Sequence, residues 1–187
     1  MKISRGQHGW RRFEKSNRPP PKEAWVWFTR EMMESPAWGA LTAPAKRAIE
    51  RILIEHMHHA GTENGELIVT FDDFQAFGIS RRAIKPAIQV AVRLGFIDVT
   101  FRGVRSHGAA RRPSRYSITW LPRNDATPPT NRWKSILTEE QAEAAVEAVY
   151  ATRRTENGSN AVTKAAGSSR SVPPGKILEV VPKRSLG

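Results

Sequence analysis

Arg81, Arg82, Lys85, Gln89 and Arg93 fall on one side of a helix when residues 81–94 are turned at helical pitch. Ile84, Ala87, Ile88 and Ala91 fall on the other side. Such a division lets one face bury and leaves the other to lie in a DNA major groove. There, Arg and Lys read guanine edges and Gln reads adenine. The start of such a helix reaches the bases, which singles out Arg81, Arg82 and Lys85, with Arg93 placed for a phosphate. Pro86 sits inside this stretch, removes a backbone donor, and is expected to kink or restart the helix.

A second set of cations follows. Arg102, Arg105, His107, Arg111, Arg112 and Arg115 occupy a stretch that also holds Gly103 and Gly108. Glycine permits close backbone approach, and arginines on such a loop suit phosphates or a narrow minor groove. A third set, Lys2, Arg5, Arg11, Arg12, Lys15 and Arg18, lies in the first 22 residues. That segment ends in three consecutive prolines, which favour an extended spacer. It is expected to be a disordered basic arm.

The charge distribution sharpens this picture. The chain has 187 residues and a formal net charge of +12. Residues 1–22 hold seven Lys/Arg against Glu14, and residues 81–115 hold nine against Asp98. Residues 23–80 reverse the sign, with four bases against nine acids. An acidic body flanked by two basic segments points to a polyanionic partner, and double-stranded DNA is the first expectation.

Other chemistries find little support. His56, His58 and His59 invite a metal reading, but no second ligand cluster accompanies them, so no metal or other cofactor is expected. No nucleophile–base–acid set, P-loop or dinucleotide-binding glycine pattern occurs, so the chain is not expected to be an enzyme. There are no cysteines, which excludes disulfides and fits a reducing, cytoplasmic compartment. No apolar run is long enough to span a membrane, and no apolar segment of a secretory signal follows the basic start.

The elements that would position these residues follow from the patterning. Residues 24–28 are aromatic-rich and could start an edge strand, followed by a short helix over 30–34. Thr42 caps a helix over 43–59 that buries Ala45, Ala48, Ile49, Ile52, Leu53 and Met57. Asn64-Gly65 is a turn, and residues 66–70 form a short strand. Thr70 and Asp73 resemble a capping box opening a helix over 71–77 that carries Phe71, Phe74 and Phe77. Gly78 turns the chain, Ser80 caps the helix over 81–94, and Gly95 ends it. Residues 96–101 and 116–120 alternate as the two strands of a hairpin. Trp25, Trp27, Trp38 and Trp120 are expected in the core.

This order predicts an α+β fold: a winged helix-turn-helix with a three-helix core and a small antiparallel sheet, spanning 23–121. Residues 122–187 are expected to be a flexible tail with one short helix near 138–151. That helix opens with a Thr138–Gln141 capping box and carries a thin Ala/Val stripe that cannot make a core of its own; a homodimer or protein contact, if the chain makes one, is expected through this tail. Residues 177–181 form a short strand-like patch.

Phe28 to Leu41, followed by Thr42-Ala43-Pro44-Ala45-Lys46, resembles the opening of winged-helix proteins found on phages, plasmids and other mobile bacterial elements. Glu63 to Leu67 and Arg93 to Ile97 are similar to that family as well, and the likeness covers about residues 25–121. The resemblance implies a replication-initiator-like or regulator-like DNA-binding protein. Pro86 departs from the pattern and bears on direct base reading. The alternative expectation is a protein-interaction module that uses the same domain and the tail for docking. RNA is the third, since a basic groove does not by itself distinguish the two nucleic acids.

Overall fold

Thr42, Thr70 and Thr138 mark helix starts with their side chains. In a computed structural model, residues 23–103 and 112–168 are described, and for 156–168 the backbone alone. The arm 1–22, the loop residues Arg105, His107 and Arg111, and the 177–181 patch lie outside the described residues.

Among the described residues the first elements are two single-turn helices, α1 (Arg30–Met33) and α2 (Pro36–Gly39). Ser35 separates them, accepting from Trp38 N at 3.2 Å. The expected strand at 24–28 is absent. Those residues run without ladder bonds, and Trp27 O accepts from the Trp120 indole at 3.1 Å. Helix α3 (Ala43–His58) starts at Thr42, as expected, and buries Ala45, Ala48, Ile49, Ile52, Leu53 and His56. Strand β1 is short, Leu67–Ile68. Helix α4 (Phe71–Ala76) has the full Thr70–Asp73 capping box, but it buries only Phe74; Phe71 is exposed, and Phe77 caps the helix end instead of belonging to it. A capping box satisfies two backbone donors that a helix start otherwise leaves orphaned.

Gly78, at φ +90°, makes the turn into α5 (Arg81–Arg93), and Arg47 of α3 donates to its carbonyl at 3.0 Å. Positive φ is open to glycine at no steric cost. Ser80 stands at the start of α5 without a side-chain cap bond. Pro86 lies within α5 and is buried, and the helix continues through it to Arg93 instead of restarting. The missing donor is the one that would serve the Arg82 carbonyl. Arg82 is exposed, so water can serve that oxygen.

Strands β2 (Ile97–Phe101) and β3 (Arg115–Ile118) form the hairpin, and the antiparallel sheet has the order β1-β3-β2. The fold is therefore α+β, six helices with a three-stranded sheet among the described residues. Beneath the sheet, α3 and α5 pack together around Ile49, Ile52, Ile84, Val90 and Leu94.

The expected domain boundary at residue 121 moves. The first compact unit extends to Tyr150, and Trp133, Ala142 and Val149 are buried in its core. Gly95, at φ +80°, makes this possible. A Cβ there would lie 2.5 Å from Trp133 N, so the 132–133 backbone can rest against Gly95 only because it has no side chain. Phe96 then stacks on Trp133 with centroids 6.5 Å apart and rings 2° from parallel. A 3-10 turn (Arg132–Ser135) leads to α6 (Glu139–Ser168), longer than the helix expected over 138–151. Thr138 Oγ1 accepts from Gln141 N at 3.2 Å, while the Gln141 side chain accepts from Leu137 N. The second unit begins at Ala151, and its described residues are helical.

Two of the four tryptophans leave their expected place. Trp25 is 57% exposed and Trp27 42% exposed, because their segment lies outside the sheet, whereas Trp120 is fully buried. Trp38 is half-buried, edge-on to both Phe28 and Phe96.

One polar side chain ties these parts together. Asn64 is fully buried. Its amide donates to the carbonyls of Ile118, Leu121 and Pro122, each at 3.0 Å, and its oxygen accepts from Ile118 N at 2.7 Å. Leucine at this position fits the volume but strands one buried N–H and several carbonyls. Asn64→Leu is expected to cost about 2–4 kcal/mol, checked by urea unfolding. A loss below about 1 kcal/mol would show that water or neighbouring groups replace the amide.

Candidate nucleic-acid interface

Helix α5 divides as its sequence predicts. Ile84, Ala87, Ile88 and Ala91 are buried, together with Pro86 and Val90. Arg81, Arg82, Lys85 and Arg93 are exposed, and Gln89 is half-exposed. The five polar residues therefore share the outward face. Arg81 does not stand alone on it. It meets Asp72 of α4 at 2.6 Å and Gln75 at 3.3 Å. Both members of the Arg81–Asp72 pair are solvent-exposed. Exposed pairs of this kind exchange readily with water, so the link steadies Arg81 without sequestering it. Arg82 and Arg93 form no ion pair with another described residue.

The hairpin carries the second group. Arg102, just after β2, and Arg112, just before β3, are exposed. Arg115 opens β3, pairs with Glu66, and holds its guanidinium 5.9 Å from the Phe101 ring centroid. Gly103 N donates to Ser114 Oγ at 3.0 Å, linking the segments that follow β2 and precede β3. Arg105 and Arg111 are not placed, so the described residues supply three of the five expected arginines of the hairpin.

Sequence patterning did not reveal the local carboxylates. Asp72, Glu66 and Asp98 face Arg81, Arg115 and Arg132 respectively. Their partners lie 9, 49 and 34 residues away in the chain. Only the Asp72–Arg81 pair could be inferred from sequence, from the expected turn between the two helices. The sheet and the approach of the 3-10 turn to it create the other two.

The three clustered histidines have different surroundings. Among the described residues, no group of three or more His, Cys, Asp or Glu is placed to hold an ion. His59 instead bridges Glu55 at 3.3 Å and Glu63 at 3.5 Å. His56 is buried on α3, and its Nδ1 has no hydrogen-bond partner. Burial, with a smaller contribution from His59, holds its pKa below the ordinary 6.5. Among the described residues, no helix is long and apolar enough to cross a membrane.

Comparison with known proteins returns no match: no family model, no curated protein and no solved structure matches the chain.

His56 makes acid sensitivity testable. The unfolded chain takes up its proton below about pH 6.5, and the folded protein resists it. Stability is therefore expected to fall as pH drops from 7 toward 5. In denaturant titrations at both pH values, His56→Leu should show a shallower decline. An identical decline in the variant would assign the acid sensitivity to other groups.

Proposed function

We propose that this chain is a winged helix-turn-helix protein that binds double-stranded DNA and does no catalysis. The observation that carries the reading is the outward face of α5, where Arg81, Arg82, Lys85, Gln89 and Arg93 lie together above a buried apolar face. The element order supports it: α3, β1, α4, a glycine turn, α5, and then the β2–β3 hairpin. In this reading the N-terminal half of α5 enters the major groove. Arg102, Arg112 and Arg115 meet the backbone beside it, and Arg93 grips a phosphate. Pro86 is buried, so base reading falls to Arg81, Arg82 and Lys85 ahead of it and to Gln89 after it. The biological setting consistent with the resemblance is transcription regulation, or replication and maintenance of a plasmid or phage.

Electrophoretic or anisotropy titration of a duplex pool tests this directly. Pairing about six phosphates gives a log–log salt slope near −5. Replacing Arg81, Arg82 and Lys85 together by Ala is expected to weaken binding by at least about tenfold and to relax sequence preference, whereas replacing Arg102 and Arg112 by Ala is expected to flatten that slope by about 2. Unchanged affinity in a folded triple variant would overturn the proposed orientation. Selection from random duplexes then reveals whether a short motif, or a palindrome signifying a two-fold dimer, is enriched.

The exposed Trp25, Trp27 and Met33 favour a second reading, docking of a protein partner on the α1 side. Absence of any duplex retention at low salt would transfer the weight to it.

A further inference from the structure

A hollow of about 450 Å³ opens at the start of β3, walled by Ile68, Phe101, Arg112, Pro113 and Arg115. The sheet register builds it. Arg115 is the register partner of Ile68 on one side and, across a bulge between Val99 and Phe101, of Phe101 on the other, and the three side chains line the same hollow. Tyr116, next in sequence, is buried, so Arg115 belongs to the sheet face away from the core. Ile68 is 42% exposed and Phe101 half-exposed. Arg115 pairs with Glu66 on β1's side and lies over the Phe101 ring, an exposed arrangement that orients its guanidinium without sequestering it.

A phosphate alone would engage the guanidinium groups and leave Ile68 and Phe101 wet. The bases of an intact duplex are stacked on each other and offer no free face to such a surface. An unpaired nucleotide brings both complements, an anionic phosphate and a flat apolar ring. Aromatic rings and arginine planes both stack on bases, and the hollow falls within the range of roughly 300–1,000 Å³ found for small-ligand sites. We propose that this hollow seats one unpaired nucleotide of single-stranded DNA, with the base against Phe101 and Arg115 and the phosphate toward Arg112. The inference rests on the DNA-binding reading and adds a preference for locally opened duplex.

The test uses the full chain, an intact short duplex, and the same duplex with a few central mismatches that include 2-aminopurine. The wild-type chain is expected to bind the mismatched DNA about tenfold more tightly, with a change in 2-aminopurine fluorescence. Phe101→Leu keeps apolar volume and removes the π-face. Ile68→Ser, at an exposed edge position, removes the opposite wall without touching the Phe101 packing. Each folded variant is expected to lose the preference and the fluorescence change while holding intact-duplex affinity within about twofold. Equal wild-type affinity for the two DNAs, or full preference in both variants, overturns this inference and leaves duplex binding standing. Failure of the wild-type chain to bind either DNA overturns both.

Discussion

The side chain of Asn64 is the constraint on which the working surface depends. It sits where water cannot reach and meets three carbonyls and one amide around the end of β3. In that setting every lost partner leaves an orphaned polar group, so the geometry is enforced by the cost of alternatives. The loop before β1 is thereby fixed to the far end of β3. Because β3 is the central strand, β1 and β2 inherit its register. Arg115, at the other end of β3, is set between Ile68 and Phe101 as a consequence. The cations of the hairpin are thus positioned by an uncharged amide at the opposite end of the strand.

The second support is aromatic. Phe28, Trp38, Phe96, Trp120 and Trp133 form a chain of ring contacts at centroid distances from 5.4 to 6.5 Å. These rings come from five separate stretches, among them the segment ahead of α1 and the 3-10 turn after the sheet. Large rings remove much apolar area from water and prefer edge or offset geometries, which fixes orientation as well as proximity. Gly95 is the opening through which the later segment joins. This explains why a body built on α3 and α5 continues to Tyr150. The outward face of α5 is left out of all this packing, and there the exposed cations gather. The acids near them form pairs that water screens, so the surface keeps its basic character.

Much of this was legible in the sequence. Helical spacing located α3 and α5 and sorted the buried from the outward residues of α5. Caps at Thr42 and Thr70 and the turns at Gly78 and Gly95 are local devices that a few adjacent residues encode. The strand at 24–28 was misread because aromatic composition favours a strand but does not supply a neighbour to pair with. The tail was misread for a related reason. Its Ala/Val stripe is too thin for a core, and nothing within residues 122–150 announces that Gly95 and Phe96 wait to receive Trp133. Pro86 was expected to kink or restart the helix; it does not restart it, and its side chain is buried among the core residues within the continuous α5. Asn64 was read as a turn residue alone, since its four hydrogen-bond partners lie more than fifty residues away.

The sequence by itself determined the order of elements from α3 to β3, the two-faced character of α5 and the sign of its outer surface. Periodicity, caps and charge depend on residues within a turn or two of one another. Tertiary structure alone decided which acids oppose which arginines, where the compact unit ends, and which sheet residues stand side by side. Those outcomes depend on strand register and on backbone approach between distant segments, and they exist only once a buried amide and stacked rings have excluded the other arrangements.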